Sequence, residues 1–177
     1  QNEQFEITAI QNTLADALVA IEKRIEAKGQ IAGISSGLKE LDKYIGGFQN
    51  RRLYYIGARP SQGKTALLIN FMINCKLRCG FLSAESGKQE IVNRILSNQS
   101  NIDSQRLVFG LLKTGEINHL YSAIDTLQSR EEIFIYDEPN MSIETAVFKA
   151  KEMKRKFDIQ ILFVDYLQII SSSRTKS

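Results

Sequence analysis

The chain has 177 residues, 43% of them hydrophobic and 24% charged, which is the composition of a globular domain with a substantial core. Its formal net charge of +3 is too small to indicate nucleic-acid binding by itself. No apolar run approaches the roughly 18 residues of a membrane span, and the first residues lack the basic and apolar regions of a signal peptide. Composition therefore predicts a cytoplasmic protein with no membrane partner.

An amphipathic helix is predicted over residues 11–28. Leu14, Leu18, Ile21 and Ile25 follow one another at spacings of four, three and four residues, which aligns them on one face of a helix. The stripe allows two interpretations. Either it packs on the core of this chain, or the helix docks on a neighbouring subunit, since a glycine-bearing linker follows it.

The next segment is rich in turns. Residues 29–52 hold five of the 11 glycines, and residues 35–48 predict a short helix between turns. An apolar and aromatic run follows at residues 53–56, which is short enough for a buried strand.

Residues 57–65 match G-x-x-x-x-G-K-[ST], the phosphate-binding P-loop. Its members are Gly57, Ala58, Arg59, Pro60, Ser61, Gln62, Gly63, Lys64 and Thr65. The predicted strand before it and the apolar residues 66–73 after it supply the strand–loop–helix context that the motif requires, which disfavours an incidental glycine turn. Backbone N–H groups would cradle the phosphates of ATP, Lys64 would reach the β- and γ-phosphates, and Thr65 would hold Mg²⁺.

Beyond the P-loop, short apolar runs alternate with helical patterns. Strands are predicted at residues 81–84, 133–136 and 159–164, and helices around Ile91, Ile95 and Leu96, over 115–129, and from the N-cap Ser142 to about 157, while 103–113 is ambiguous. This alternation predicts an α/β fold with a parallel sheet covered by helices on both faces. Ligands of such sheets bind at the carboxyl ends of the strands.

Acidic residues stand at those strand ends. Two strands compete to supply the acid that contacts Mg²⁺, because one ends in Asp137-Glu138 and the other in Asp165. We prefer Asp165 for the metal, with Glu85 as the base that activates water, since a separate acid after the second strand is the RecA-type arrangement. The alternatives are that Glu85 only stabilises a helix N-terminus and that Asp165 is a turn residue.

These residues resemble a known family. The P-loop, with its internal Arg59-Pro60-Ser61, is similar to that of DnaB-type replicative helicases, and residues 165–168, Asp-Tyr-Leu-Gln, resemble that family's Walker B segment. The resemblance implies a linker-helix region at residues 1–30 and a RecA-like P-loop ATPase domain at 31–177. It further implies an ATP- and Mg²⁺-dependent helicase that moves 5′ to 3′ on single-stranded DNA as a homo-hexamer joined through helix 11–28. Primase and a helicase loader are the implied partners in the primosome.

The chain also departs from that family. The family's Ser-Leu-Glu-Met around the catalytic acid is Ser83-Ala84-Glu85-Ser86 here, and its glutamine sensor, DNA-binding loops and trans-acting arginine are not found by residue 177. We therefore expect the isolated chain to be a weak or inactive ATPase. Two alternative functions stay open: a RecA-like recombinase or clock-type signalling ATPase, and a non-catalytic nucleotide-binding assembly module.

Overall fold

The computed structural model of the chain describes residues 9–26, 31–59, 61–130 and 132–165. The chain forms two compact units, Gln1–Leu53 and Tyr54–Ser177. The predicted boundary at residue 30, the P-loop residue Pro60 and the end of the Asp-Tyr-Leu-Gln string, residues 166–168, lie outside the described residues. In the part of the chain that is described, no helix has the length and apolar character needed to cross a membrane.

The first unit contains the predicted amphipathic helix, α1 (Gln11–Glu26), and the predicted short helix, α2 (Lys39–Ile45). None of the α1 residues, all of which are described, is buried, and the stripe residues Leu14 and Ile25 are 57% and 70% exposed. Among the described residues of this unit, the stripe therefore packs on no core, contrary to the first interpretation. Docking on a neighbouring subunit stays a prediction.

A buried carboxylate holds the turn before α2. Asp42 accepts hydrogen bonds from the Ser35 hydroxyl at 2.7 Å and from the Ser36 backbone N–H at 2.9 Å. An antiparallel bridge between Ile34 and Phe48 then closes the segment around α2. The bridge and the hydrogen bonds of Asp42 thus hold the turn-rich stretch together, and the buried carboxylate has the partners that a buried polar group needs.

The second unit alternates helices and strands, as the sequence predicts. Its described elements are α3 (Lys64–Asn74), β1 (Cys79–Ser83), α4 (Lys88–Ser100), α5 (Ser104–Val108), α6 (Glu116–Gln128), β2 (Ile133–Asp137), α7 (Ile143–Phe157) and β3 (Ile161–Asp165). The predicted N-cap of α7 is confirmed, because the Ser142 hydroxyl accepts from the backbone N–H of Thr145 at 3.0 Å. The ambiguous stretch contains α5, which Asp103 caps by accepting from the N–H groups of Gln105 and Arg106.

The described strands form one parallel sheet in the order β2-β1-β3. Every residue of the central strand β1 is buried, which is expected for a strand covered on both faces. The pairing registers align Ser83 with Asp137 on one side and with Asp165 on the other. The last residues of the three strands therefore lie side by side at one edge of the sheet.

Helices cover both faces of β1. Leu82 packs with Met141, Met153 and Ile159 in a buried cluster under α7. Because successive strand residues point to opposite faces, Cys79 faces the other way. Cys79 and Cys75, the C-cap residue of α3, are both buried. The predicted α/β class with helices on both faces is confirmed.

The prediction of a strand immediately before the P-loop is wrong. Residues 53–56, all of them described, form no strand, and Leu53 and Tyr55 are 73% and 72% exposed. An apolar run indicates that a segment can be buried, but a strand also needs a neighbour whose backbone pairs with it. The sequence pattern does not specify that neighbour.

Candidate nucleotide-binding site

The P-loop leads directly into α3, whose first residue is Lys64. The residue before it, Gly63, has a φ of 81°, in the left-handed region that favours glycine, and a Cβ built there meets no described atom within 4 Å. The N-terminus of a helix leaves backbone N–H groups without acceptors inside the helix, and a glycine cap has no side chain to occupy them. The start of α3 is therefore open toward the loop and suited to an anion.

Two adjacent P-loop side chains meet the carboxylate at the end of β3. The Thr65 hydroxyl donates a hydrogen bond to Asp165 Oδ2 at 2.5 Å, and Lys64 Nζ lies 3.4 Å from Asp165 Oδ1. This arrangement follows from the fold, because α3 packs against β3. The structure thus brings together Lys64, Thr65 and Asp165, three of the residues that the sequence singles out.

Asp165 is a buried acid with an incompletely used carboxylate. Its exposed fraction is 1%, and among the described residues Oδ1 has no hydrogen-bond partner despite the nearby ammonium of Lys64. A buried acceptor without a hydrogen bond is unfavourable, so this oxygen is suited to a cation or to water bound to one. Within the described chain no three His, Cys, Asp or Glu side chains converge. Mg²⁺ fits such a place, since it commonly takes one or two carboxylates and completes its shell with water and substrate phosphates.

Glu85 lies at the same edge of the sheet. It is exposed and follows β1 by two residues, in the loop between β1 and α4. That loop is linked to β3, because the backbone N–H of Ala84 donates to the Asp165 carbonyl at 2.8 Å. The predicted base and the predicted metal acid therefore stand on adjacent strand ends.

The competing acid, Asp137, has a different environment. Its Oδ2 accepts a hydrogen bond from the backbone N–H of Lys88 at 2.9 Å, and its Oδ1 lies 3.4 Å from Lys88 Nζ. The hydrogen bond from the Lys88 backbone is the main reason that the pKa of Asp137 lies below its ordinary value. Asp137 thus caps the start of α4, a contact that sequence reasoning missed. Gly87, the N-cap of α4, was the available signal, because it has no side chain with which to cap.

Comparison with known protein families gives a match over most of the chain. The profile described as the DnaB-like helicase C terminal domain matches residues 33–177. The replicative DNA helicase DnaB of Rickettsia typhi is 36% identical over 177 aligned positions, which cover 92% of this chain and 35% of that protein. The replicative DNA helicase DnaC of Bacillus subtilis is 33% identical over 168 positions, which cover 93% of this chain and 37% of that protein. The chain spans about a third of the length of these curated relatives.

Two solved structures share the fold. One, described as an ATPase domain, superimposes with a TM-score of 0.83 at 28% identity, covering 97% of this chain and 62% of that one. The other, a DnaB-like replicative helicase studied with primase, gives a TM-score of 0.79 at 27% identity and covers 97% of this chain and 42% of that one. The predicted RecA-like ATPase architecture is confirmed by these likenesses. The chain therefore belongs to the DnaB-like helicase family, and its residues 33–177 match that family's C-terminal domain.

Proposed function

We propose that this chain is the ATPase core of a cytoplasmic replicative DNA helicase, which couples ATP hydrolysis to 5′-to-3′ movement on single-stranded DNA as a hexameric ring. The observation that carries the proposal is the convergence of Lys64 and Thr65 on the buried carboxylate of Asp165. Membership of the DnaB-like helicase family supports DNA unwinding over strand exchange or signalling.

The P-loop residues hold the nucleotide. Residues 57–65 form the phosphate-binding loop, in which the N-terminal end of α3 attracts negative charge and Lys64 contacts the terminal phosphates. Lys64 is 23% exposed in its side chain, so it can turn from Asp165 toward a bound phosphate. A charge-assisted contact of this kind strengthens as the γ-phosphoryl group leaves.

The two acids Asp165 and Glu85 have separate proposed roles, one in metal binding and one in activating water. Thr65 and Asp165 would hold Mg²⁺, and a bound Mg²⁺ would supply charge neutralisation for the phosphates. Glu85 is the general base that orients and polarises the attacking water, because it lies at the neighbouring strand end and faces solvent. Asp165 is buried beside Lys64 whereas Glu85 is exposed, so the two acids have different environments and different roles.

The assembly uses helix α1. Its exposed apolar stripe would be covered by a neighbouring subunit of the hexamer, since these residues are not buried within the described chain. Primase is a proposed partner because one structural relative was studied for its interactions with primase. A helicase loader is the further proposed partner of the full-length protein.

The test is DNA unwinding by the full-length protein. On forked substrates with one labelled strand, we expect Mg·ATP-dependent displacement only when a 5′ single-stranded tail is present, and no displacement by the Lys64→Ala variant. ATP binding without hydrolysis or unwinding would instead support a nucleotide-binding assembly module. Strand exchange between homologous duplexes would support a recombinase.

A further inference from the structure

Residues 84–87 form the short loop that joins β1 to α4 and contains Glu85. We propose that Asp137 is a positioning residue for the reaction, which holds this loop through its contact with Lys88 and so fixes the location of Glu85. The inference rests on the proposed function, because it assumes that Glu85 is the base. The inference gives a role to Asp137, the strand-end acid that is not part of the proposed metal site.

The β1 end of the loop is anchored by strand β1 itself and by β3. The Ser83 hydroxyl donates to the Ser86 carbonyl at 2.6 Å and accepts from the Ser86 backbone N–H at 3.1 Å, which folds the loop back on the strand. The Ala84 N–H is bound to the Asp165 carbonyl. The backbone groups of Ala84 and Ser86, the two neighbours of Glu85, are therefore hydrogen-bonded to the strand ends.

The α4 end of the loop is anchored by Asp137. Gly87 is the N-cap residue of α4, and glycine has no side chain that could cap the helix. Asp137 reaches over from β2 and supplies the missing acceptor to the first helical N–H, that of Lys88. A carboxylate at a helix N-terminus is also favoured by the helix dipole. A Cβ on Gly87 would lie 3.7 Å from Asp137 Oδ2, so the carboxylate lies directly against the end of the loop.

The strand register explains why Asp137 can do this and Asp165 cannot. Ser83 pairs with Asp137 in β2 and with Asp165 in β3, so the two carboxylates flank the end of β1 from opposite sides. The backbone N–H of Glu138 continues the ladder by donating to the Ser83 carbonyl at 3.0 Å. Because α4 packs on β2 and α3 packs on β3, one acid meets the start of α4 and the other meets the P-loop.

The consequence concerns turnover and not nucleotide affinity. A base that is displaced by about 1 Å can lose roughly 100-fold in rate, whereas Lys64 would still contact the phosphates and Thr65 would still hold Mg²⁺. We therefore expect Asp137→Ala to lower kcat roughly 10- to 100-fold with KM for ATP nearly unchanged. Asp137→Asn should restore most of the rate, because its amide oxygen still accepts from the Lys88 N–H.

Three measurements on the full-length protein test the inference. The first is the kcat and KM split for Asp137→Ala and Asp137→Asn. The second combines Asp137→Ala with Glu85→Gln, where we expect no loss beyond that of Glu85→Gln alone, since both changes act on one group. The third is amide hydrogen exchange in residues 84–88, which we expect to become faster in Asp137→Ala and to stay slow in Asp137→Asn.

Two further variants serve as matched tests. Lys88→Pro removes the N–H that Asp137 binds while leaving β2 intact, and proline suits the first helical position after an extended Gly87 with ψ of 153°. It should reproduce the effect of Asp137→Ala even if the latter folds poorly. Asp103→Ala removes a comparable helix cap from α5, which contains no proposed site residue, and should leave kcat unchanged.

The contrary results are distinct. If Asp137→Asn is as inactive as Asp137→Ala and needs more Mg²⁺, Asp137 is a metal acid and the inference is wrong. Unchanged amide exchange in Asp137→Ala, or a further loss of rate in the Glu85→Gln background, would also overturn it. Absence of ATP hydrolysis by the unaltered protein would reject the proposed function, while amide exchange would still decide whether Asp137 holds the loop.

Discussion

The hydroxyl of Thr65 donates a hydrogen bond to Oδ2 of Asp165 at 2.5 Å, although 100 positions separate the two residues. Thr65 lies in the first turn of α3, and Asp165 is the last residue of β3. Since the carboxylate is buried, this contact joins the P-loop to the sheet through a group that solvent does not screen. The same hydroxyl and carboxylate would share the shell of a bound Mg²⁺ ion.

Replacing Lys64 tests nucleotide binding. Lys64→Ala removes a charge-assisted phosphate contact worth about 1.5–3 kcal/mol, so the Kd for Mg·ATP should rise roughly 10- to 140-fold in isothermal titration. Lys154→Ala is the matched control, because Lys154 also pairs with an aspartate but is 60% exposed on α7. Equal affinity in the Lys64→Ala variant and the unaltered protein would reject the assignment of this loop.

Replacing each candidate metal acid tests which one serves Mg²⁺. Asp165→Asn keeps a hydrogen-bond acceptor for Thr65 but loses the charge, so the Mg²⁺ concentration for half-maximal hydrolysis should rise roughly 10- to 100-fold. Asp137→Asn should leave that concentration unchanged, because Asp137 contacts Lys88. The opposite pattern would mean that the metal acid is on β2.

Replacing Glu85 tests the general base. Glu85→Gln preserves size and should retain the Kd for ATP, while turnover should fall about 10²- to 10⁴-fold, which is the usual contribution of a general base. Glu138→Gln is the comparison, since the Glu138 carboxylate accepts a hydrogen bond from the Tyr136 hydroxyl. A loss of turnover in Glu138→Gln and not in Glu85→Gln would show that the base follows β2.

A charge placed in the apolar stripe of α1 tests assembly. Leu18→Glu should weaken subunit association at least roughly 10-fold, because it removes a leucine contact that the proposed neighbouring subunit would bury, worth about 1.5–3 kcal/mol. Sedimentation of the full-length protein measures the fraction of the proposed hexamer. Lys23→Gln lowers the net charge by the same amount on the opposite face of α1 and should leave that fraction unchanged.

The acid sensitivity of α7 is expected to depend on Glu152. Hydrogen bonds from Lys149, and secondly from Lys156, lower the pKa of Glu152 from 4.5 to about 2. Because the pKa is lower in the folded state, the ionised carboxylate stabilises that state above pH 4.5, and this contribution is lost as the pH falls toward about 2. Glu152→Gln should reduce the pH dependence of the free energy of unfolding in that range, as urea titrations can measure. Identical slopes for the two proteins would contradict the expectation.

Local features of the sequence determined most of the secondary structure and the P-loop. Apolar spacing predicted α1 and α6, a serine at the right place predicted the start of α7, and glycine at position 63 suits a backbone with φ of 81°. These predictions succeed because capping, helical periodicity and glycine's backbone freedom act over a few residues. The α/β class follows from the alternation of such segments.

The sequence favoured Asp165 over Asp137 by resemblance, but only the tertiary structure showed what each carboxylate contacts. Each ends a five-residue apolar strand, so their local sequence patterns are equivalent. Their environments differ because β1 lies between the two strands, with α3 packed against β3 and α4 against β2. The same long-range pairing decided that residues 53–56, although apolar, form no strand. Strand order and helix packing depend on contacts between residues far apart in the chain. The sequence of a short segment therefore does not determine which strands pair or which helices pack on them.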